Sequence, residues 1–184
     1  MRVYRKLFPT EAARLRDHLL RLAPVDRHRR FFAGMSDAAI DEHCRRIDWL
    51  RMLVIGFFED GVLRGAAEIA LDGGLVPRQA ELALSIEGPW QDRGIGTELM
   101  RRAILSASNR AVTSIYMLCL SDNRRMQSIA KKFDGRLGFR DGEADAQLDV
   151  PPPTQLSLAA EALGDGFGLF ALWWDAATPR AAAA

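Results

Sequence analysis

The chain has 184 residues, enough for one domain with a substantial core. At 48% hydrophobic and 27% charged residues it has the make-up of a soluble globule, which sets aside disordered and fibrous classes. A formal net charge of +1 offers no basic stripe for nucleic acid, and no apolar run is long enough to span a bilayer, so neither nucleic acid nor membrane is an expected partner.

Residues 3–8 read as a first strand ended by Pro9, and Thr10 caps a helix over residues 11–22 with Ala12, Leu15, Leu19 and Leu22 on one face. Pro24 stops that helix, and a basic-aromatic connector follows, from Asp26 to Phe32. Ser36 caps a second helix near residues 37–48. Residues 50–59 and 63–71 are two strands joined by the hairpin signal Asp60-Gly61. In the next strand, 80–87, Leu82, Leu84 and Ile86 alternate with Glu81, Ala83 and Ser85, so one face packs and the other lines something more polar. A helix runs from the following turn to about Asn109. Residues 115–120 are continuously apolar, the pattern of a central strand covered on both faces. A helix over about 123–133 and two closing strands, 135–139 and 144–150, complete a unit of residues 1–150. Pro151-Pro152-Pro153 marks a stiff boundary to an extension, 151–184: a helix over about 154–163, a glycine-rich apolar stretch and an Ala-rich tail. The order of elements predicts an α/β fold with a mixed sheet.

Cys44 and Cys119 fall on different elements without metal-ligand spacing, and His18, His28 and His43 share none either; no metal is expected, and the histidines read as surface or helix-face side chains. The N-terminus lacks the apolar core of a secretory signal, which makes reduced, buried thiols and the cytoplasm the expectation.

The most informative stretch is Gln91-Asp92-Arg93-Gly94-Ile95-Gly96, joining the strand 80–87 to an amphipathic helix. Gly94 and Gly96 let backbone approach a ligand, and the free N–H groups and dipole of a helix start favour phosphate oxygens. The turn lies mid-chain with two glycines, unlike the dinucleotide fingerprint, and lacks the Lys-Ser/Thr of a phosphate loop. Gln91-x-x-Gly94-x-Gly96, with Asn123 after an apolar strand and Gly138-Phe139 beyond, resembles the GNAT superfamily of acetyl-CoA-dependent N-acetyltransferases. Arg29-Arg30-Phe31-Phe32, Ala80-Glu81-Leu82-Ala83 and Trp90-Gln91 are similar to bacterial protein-lysine acetyltransferases within it.

The resemblance implies a GNAT-like, mostly antiparallel sheet of about six to seven strands flanked by helices, and acetyl-CoA as co-substrate. It implies that backbone around Leu84 and Ile86 pairs with the pantetheine arm, and that the turn from Gln91 through Arg93, Gly94, Ile95, Gly96 and Thr97 holds the pyrophosphate. It places Asn123 against the pantetheine or adenylate end, with Arg93, Arg124, Lys131 or Lys132 on the 3′-phosphate. The acceptor is an amine, either a small molecule or a protein lysine, and the fold is compatible with a homodimer.

N-acetylation needs a base for the ammonium and donors for the oxyanion. Glu81 matches the catalytic glutamate of the resembled lysine acetyltransferases, against the alternative of a solvated strand carboxylate. Glu68 is its rival; a Glu68–Glu81 pair would raise one pKa. Ala130 stands where many members carry an acidic tyrosine, leaving Ser121 or Ser128 as substitutes, or no protein acid at all. That departure also motivates an alternative, a non-catalytic acyl-CoA sensor on the same fold. Arg27, Arg29 and Arg30 read as a solvated connector in preference to a site for an acidic substrate, and Cys119 as a buried thiol in preference to a group beside the thioester. Trp173-Trp174 either packs on the domain or forms a partner surface.

Overall fold

A computed structural model describes residues 1–74 and 76–177. One seven-stranded sheet organises the molecule, in the order β1-β2-β3-β4-β5-β7-β6. The strands are β1 (Arg2–Lys6), β2 (Met52–Glu59), β3 (Val62–Leu71), β4 (Gln79–Ile86), β5 (Ser114–Leu120), β6 (Arg136–Arg140) and β7 (Glu143–Asp149). All neighbours are antiparallel except β4 and β5. The β2–β3 hairpin closes on Asp60 and Gly61, both at positive φ (52° and 73°), as a two-residue turn of matching twist requires.

The helices are α1 (Ala12–Arg21), α2 (Pro24–Phe31), α3 (Asp37–Arg45), α4 (Ile95–Ser108), α5 (Arg124–Lys132) and α6 (Gln155–Ala177). Two apolar cores follow from this layering. Leu99, Met100 and Ala103 of α4 pack with Ile69, Leu82, Ile115 and Met117 on one face of the sheet. Leu15 and Leu19 of α1 and Ile40 and Cys44 of α3 pack with Val54, Phe58 and Leu63 on the other. Both cysteines are buried free thiols.

Three elements depart from the expectations. The connector after Pro24 is the helix α2: Pro24 sits in its first turn, where its missing N–H is no loss, so the proline that ends α1 also begins α2. Strand β5 is covered on one face only: Ile115, Met117 and Cys119 face the core under α4, while Tyr116 and Leu118 on the other face are 37% and 47% exposed. The helix expected over about 154–163 continues to Ala177 through the glycine-rich stretch. Gly168 faces β1 there, and a Cβ on it would lie 2.8 Å from the Cβ of Arg5, so this glycine lets the helix settle onto the strand. The Ala-rich tail lies outside the described residues.

Candidate active site

Strands β4 and β5 pair in parallel at Gln79–Ser114, Ala80–Ile115 and Glu81–Tyr116, and then part. Beyond that neck β4 continues to Ile86 and β5 to Leu120, and the gap becomes a cleft of about 490 Å³. Backbone groups in a strand alternate between its two edges. The Arg78 carbonyl accepts from Thr113 N–H (2.8 Å) and Ser114 N–H (3.3 Å), so it faces β5. By alternation Leu82, Leu84 and Ile86 face the same edge, where β5 has withdrawn. The Ile86 carbonyl agrees, accepting from Gln91 Nε2 at 2.9 Å, and Glu87 N–H donates to Arg64 on the opposite edge (3.0 Å). The edge of β4 is therefore open to a ligand able to pair as a strand does.

The edge runs into the glycine turn. Gly94 caps α4 with φ +79°, a conformation that costs little only without a Cβ. The Gly94 carbonyl accepts from Glu98 N–H at 3.0 Å, and helix geometry leaves the N–H groups of Ile95, Gly96 and Thr97 without intrahelical acceptors. A Cβ on Gly94 would meet nothing within 4 Å, so the mouth is open; one on Gly96 would lie 2.8 Å from Ile129 Cδ1 and 3.2 Å from Ile86 Cδ1, so Gly96 sets how closely α4 approaches α5. Arg125 of α5 locks the turn, donating to both Asp92 oxygens (3.0 and 2.8 Å) and to Gln91 Oε1 (2.9 Å). Opposite, Asn123 caps α5, its Oδ1 accepting from Met126 N–H at 3.3 Å, which leaves its NH2 group able to donate to a ligand. These features suit a pyrophosphate followed by an amide-bearing arm.

Helix α2 roofs the other face of the cleft, in contact with both β4 and β5. Asp26, Arg29 and Arg30 line the cavity from it, and Arg29 reaches Asp122 in the loop after β5 at 3.3 Å. Arg30 is anchored to Glu68 of β3 at 2.7 Å, and His43 of α3 contacts the same carboxylate at 3.2 Å. Burial pushes the Glu68 carboxyl up, but Arg30 and His43 outweigh it and hold it down at about 2. Glu68 lies opposite Ala83, while Ala70 lies opposite Glu81, so the two carboxylates are diagonal and not directly opposed. Glu68 is held as an ion-pair anchor between Arg30 and His43.

A second network stands behind β4. His18 of α1, read as a surface or helix-face side chain, is fully buried on the inner face of the helix; its Nε2 lies 2.9 Å from Ser85 Oγ and its Nδ1 3.2 Å from Glu87 Oε1. Glu87 also accepts from Arg21 and Arg64, both at 2.9 Å. Burial pushes the Glu87 carboxyl up, and the hydrogen bonds from His18, Arg64 and Arg21 bring it below its ordinary range. An ionised Glu87 can only accept, so His18 Nδ1 carries a proton toward it; in the neutral ring Nε2 then accepts from the Ser85 hydroxyl. Ser85 lines the cleft.

Of the residues singled out from the sequence, Leu84, Ile86, Gln91, Gly94, Gly96, Thr97 and Asn123 line the cleft together. Ile95 turns its side chain into the core. Arg93 is exposed and off the cavity wall, as is Lys131; Arg124 and Lys132 are on it. Glu81 is exposed at the neck, outside the lining, with its side chain on the same face of β4 as Ala83 and Ser85. Ala130 is buried; Ser128 lines the cleft and Ser121 does not. Cys119 also lines it, and burial pushes its thiol up. The His18–Ser85–Glu87 network and the Arg125 clamp were not anticipated; the only signal for the first was Ser85 on the polar phase of its strand.

Residues 14–135 match the Acetyltransferase (GNAT) family, and the chain belongs to it. That makes it an acyltransferase whose co-substrate is acetyl-CoA. An acetyltransferase of Pseudomonas aeruginosa is 28% identical over 148 residues, 78% of this chain and 79% of that protein. Among solved structures, the GNAT domain of S. lividans PAT is similar with a TM-score of 0.67 at 18% identity, over 79% of this chain and 89% of that one. Salmonella typhimurium yncA with acetyl-CoA is similar with a TM-score of 0.62 at 14% identity, over 84% of this chain and 96% of that one.

Proposed function

We propose that the enzyme is an N-acetyltransferase that moves the acetyl group from acetyl-CoA to an amine by direct attack, and that it works in the cytoplasm. The observation carrying this reading is the open edge of β4 leading into the uncapped start of α4, with Asn123 on the facing wall. The pantetheine amides pair with β4 at Leu84 and Ile86, the N–H groups of the turn through Thr97 take the pyrophosphate, and Arg124 and Lys132, which line the cleft, are our candidates for the 3′-phosphate. The acceptor enters under α2, beside Arg29 and Asp26. The likeness to bacterial lysine acetyltransferases favours a protein lysine; a small amine is the other candidate.

In the reaction the amine nitrogen bonds to the thioester carbon, the C–S bond breaks, and its electron pair leaves with sulfur. One ammonium proton must go to a base. We assign it to Glu81, which reaches the cleft through water from the neck. A second reading rests on Ser85 and His18: the Ser85 hydroxyl passes the proton to His18 Nε2 while Glu87 steadies the ring. Ser128 is our candidate to protonate the departing thiolate.

Calorimetric titration with acetyl-CoA, CoA and NAD, on the native protein and on Gly94→Val, tests the site. Acetyl-CoA binding that falls at least ~30-fold in a folded variant supports it; preference for NAD, or no binding by native protein, refutes it. A panel of amines then tests transfer. Loss of turnover in Glu81→Gln with binding intact assigns the base to Glu81; loss in Ser85→Ala with Glu81→Gln active assigns it to the His18 relay. Binding without transfer to any amine points to an acyl-CoA sensor.

A further inference from the structure

Helix α6 has two unlike faces. One is tied to the domain: Lys6 Nζ meets Glu161 and Asp165, each at 2.6 Å, Arg110 Nη1 reaches Glu161 at 2.9 Å, and Asn109 Nδ2 donates to it at 2.6 Å. The other face is hydrocarbon in water. Leu156, Leu163 and Phe167 recur at spacings of seven and four and are 83%, 68% and 74% exposed; Phe170 and Trp173 flank them at 58% and 61%. Together these five side chains leave on the order of 700 Å² of apolar surface uncovered, above the largest patch usual on a monomer and close to one partner's share of a stable interface.

We propose that a second copy of this chain covers this face, α6 lying against α6 about a two-fold axis. The area matches what such a dimer needs, and the seven-and-four spacing is that of a helix–helix seam. An isologous contact uses the same stripe on both sides, so one helix supplies both halves. Charge argues against a lipid surface: α6 contains no Lys or Arg, only Glu161, Asp165 and Asp175, and so lacks the cationic flank that holds an amphipathic helix on anionic headgroups. Position agrees with a working enzyme. α6 packs on β1, the sheet edge far from the β4–β5 cleft, so a two-fold pairing leaves both clefts open.

The test is sedimentation equilibrium with light scattering over a wide concentration range, on the native protein and on Leu163→Glu/Phe167→Glu. Both positions are exposed, so the variant retains the monomer fold, which circular dichroism verifies. The native protein should run at twice the monomer mass of 20.5 kDa, and the variant should dissociate at least ~30-fold more readily. In a separate Leu163→Cys variant, oxidation should link two chains. A native protein that stays monomeric at every concentration, a dimer that survives the double substitution, or binding to phosphatidylserine vesicles in place of self-association would each overturn the proposal.

Discussion

The cleft and the outer face of α6 both lack a covering partner, and what each leaves uncovered differs in kind. At the cleft the sheet leaves backbone N–H and C=O groups without a neighbouring strand, and α4 begins without a side-chain cap. Such groups stay in water, or take a ligand of the same chemistry, because burying them unpaired costs several times what a hydrogen bond returns. Along α6 the uncovered surface is hydrocarbon, which calls for area and not for donors. The supports differ accordingly. The cleft is braced by buried ion pairs that fix side-chain positions to within hydrogen-bond tolerance, Glu68 under α2 and Glu87 behind Ser85. The α6 face is held by one partly exposed hub at Glu161, sufficient to present a helix but not to shape a reactive site.

The largest effect should come from removing the deepest brace. Glu68→Ala leaves Arg30 facing a buried space without its counter-ion, and urea unfolding should show a loss of about 3–5 kcal/mol. The pH dependence has a definite sign. The folded carboxyl titrates at about 2, below the ordinary value of roughly 4.3, so its contribution is fully present above pH ~4.3 and fades as pH falls toward 2. The stability gap between native protein and Glu68→Gln should thus be constant near neutrality and shrink below pH ~4.3. A gap independent of pH would mean that the ion pair does not brace the roof.

The sequence carried the sheet because its signals are local: the Asp60-Gly61 hairpin, the alternation in β4 and the glycine turn each act within a few residues. It also carried most of the cleft wall, since Gly94, Gly96 and Asn123 sit at turns and caps where one residue fixes the backbone. What escaped depends on distant partners. His18 is an unremarkable helix residue until Ser85 and Glu87, 67 and 69 positions away, arrive beside it. The exposed face of β5 is nearly as apolar as its buried face, and only the packing of α4 on one side of the sheet decides which is which. Pro24 can end a helix or begin one, and local composition reads the same in both cases.

An intermediate effect should come from the clamp on the turn. Arg125 is about half exposed and binds Asp92 and Gln91, so Arg125→Ala should leave the fold intact while loosening the pyrophosphate loop. Acetyl-CoA affinity should fall about 5-fold, near 1 kcal/mol, as expected when an exposed bidentate pair is lost. Calorimetry reads this directly. An unchanged affinity would show that Gly94 and the start of α4 hold the loop unaided, which would deepen the contrast with the braced roof.

The smallest effect should fall on α6. Lys6→Ala removes the bridge to Glu161 and Asp165, but Arg110 and Asn109 still hold Glu161, whose carboxyl burial pushes up and these three partners bring down to about 2. The loss of stability should stay below about 1 kcal/mol, because the ammonium is partly exposed and screened by solvent. Hydrogen exchange should quicken along α6 and nowhere at the cleft, and self-association should weaken by much less than in Leu163→Glu/Phe167→Glu. If Lys6→Ala instead abolished the dimer as completely as the charged pair does, the limiting step would be docking of α6 on β1. The apolar face would then be a consequence of that docking and not the principal source of affinity.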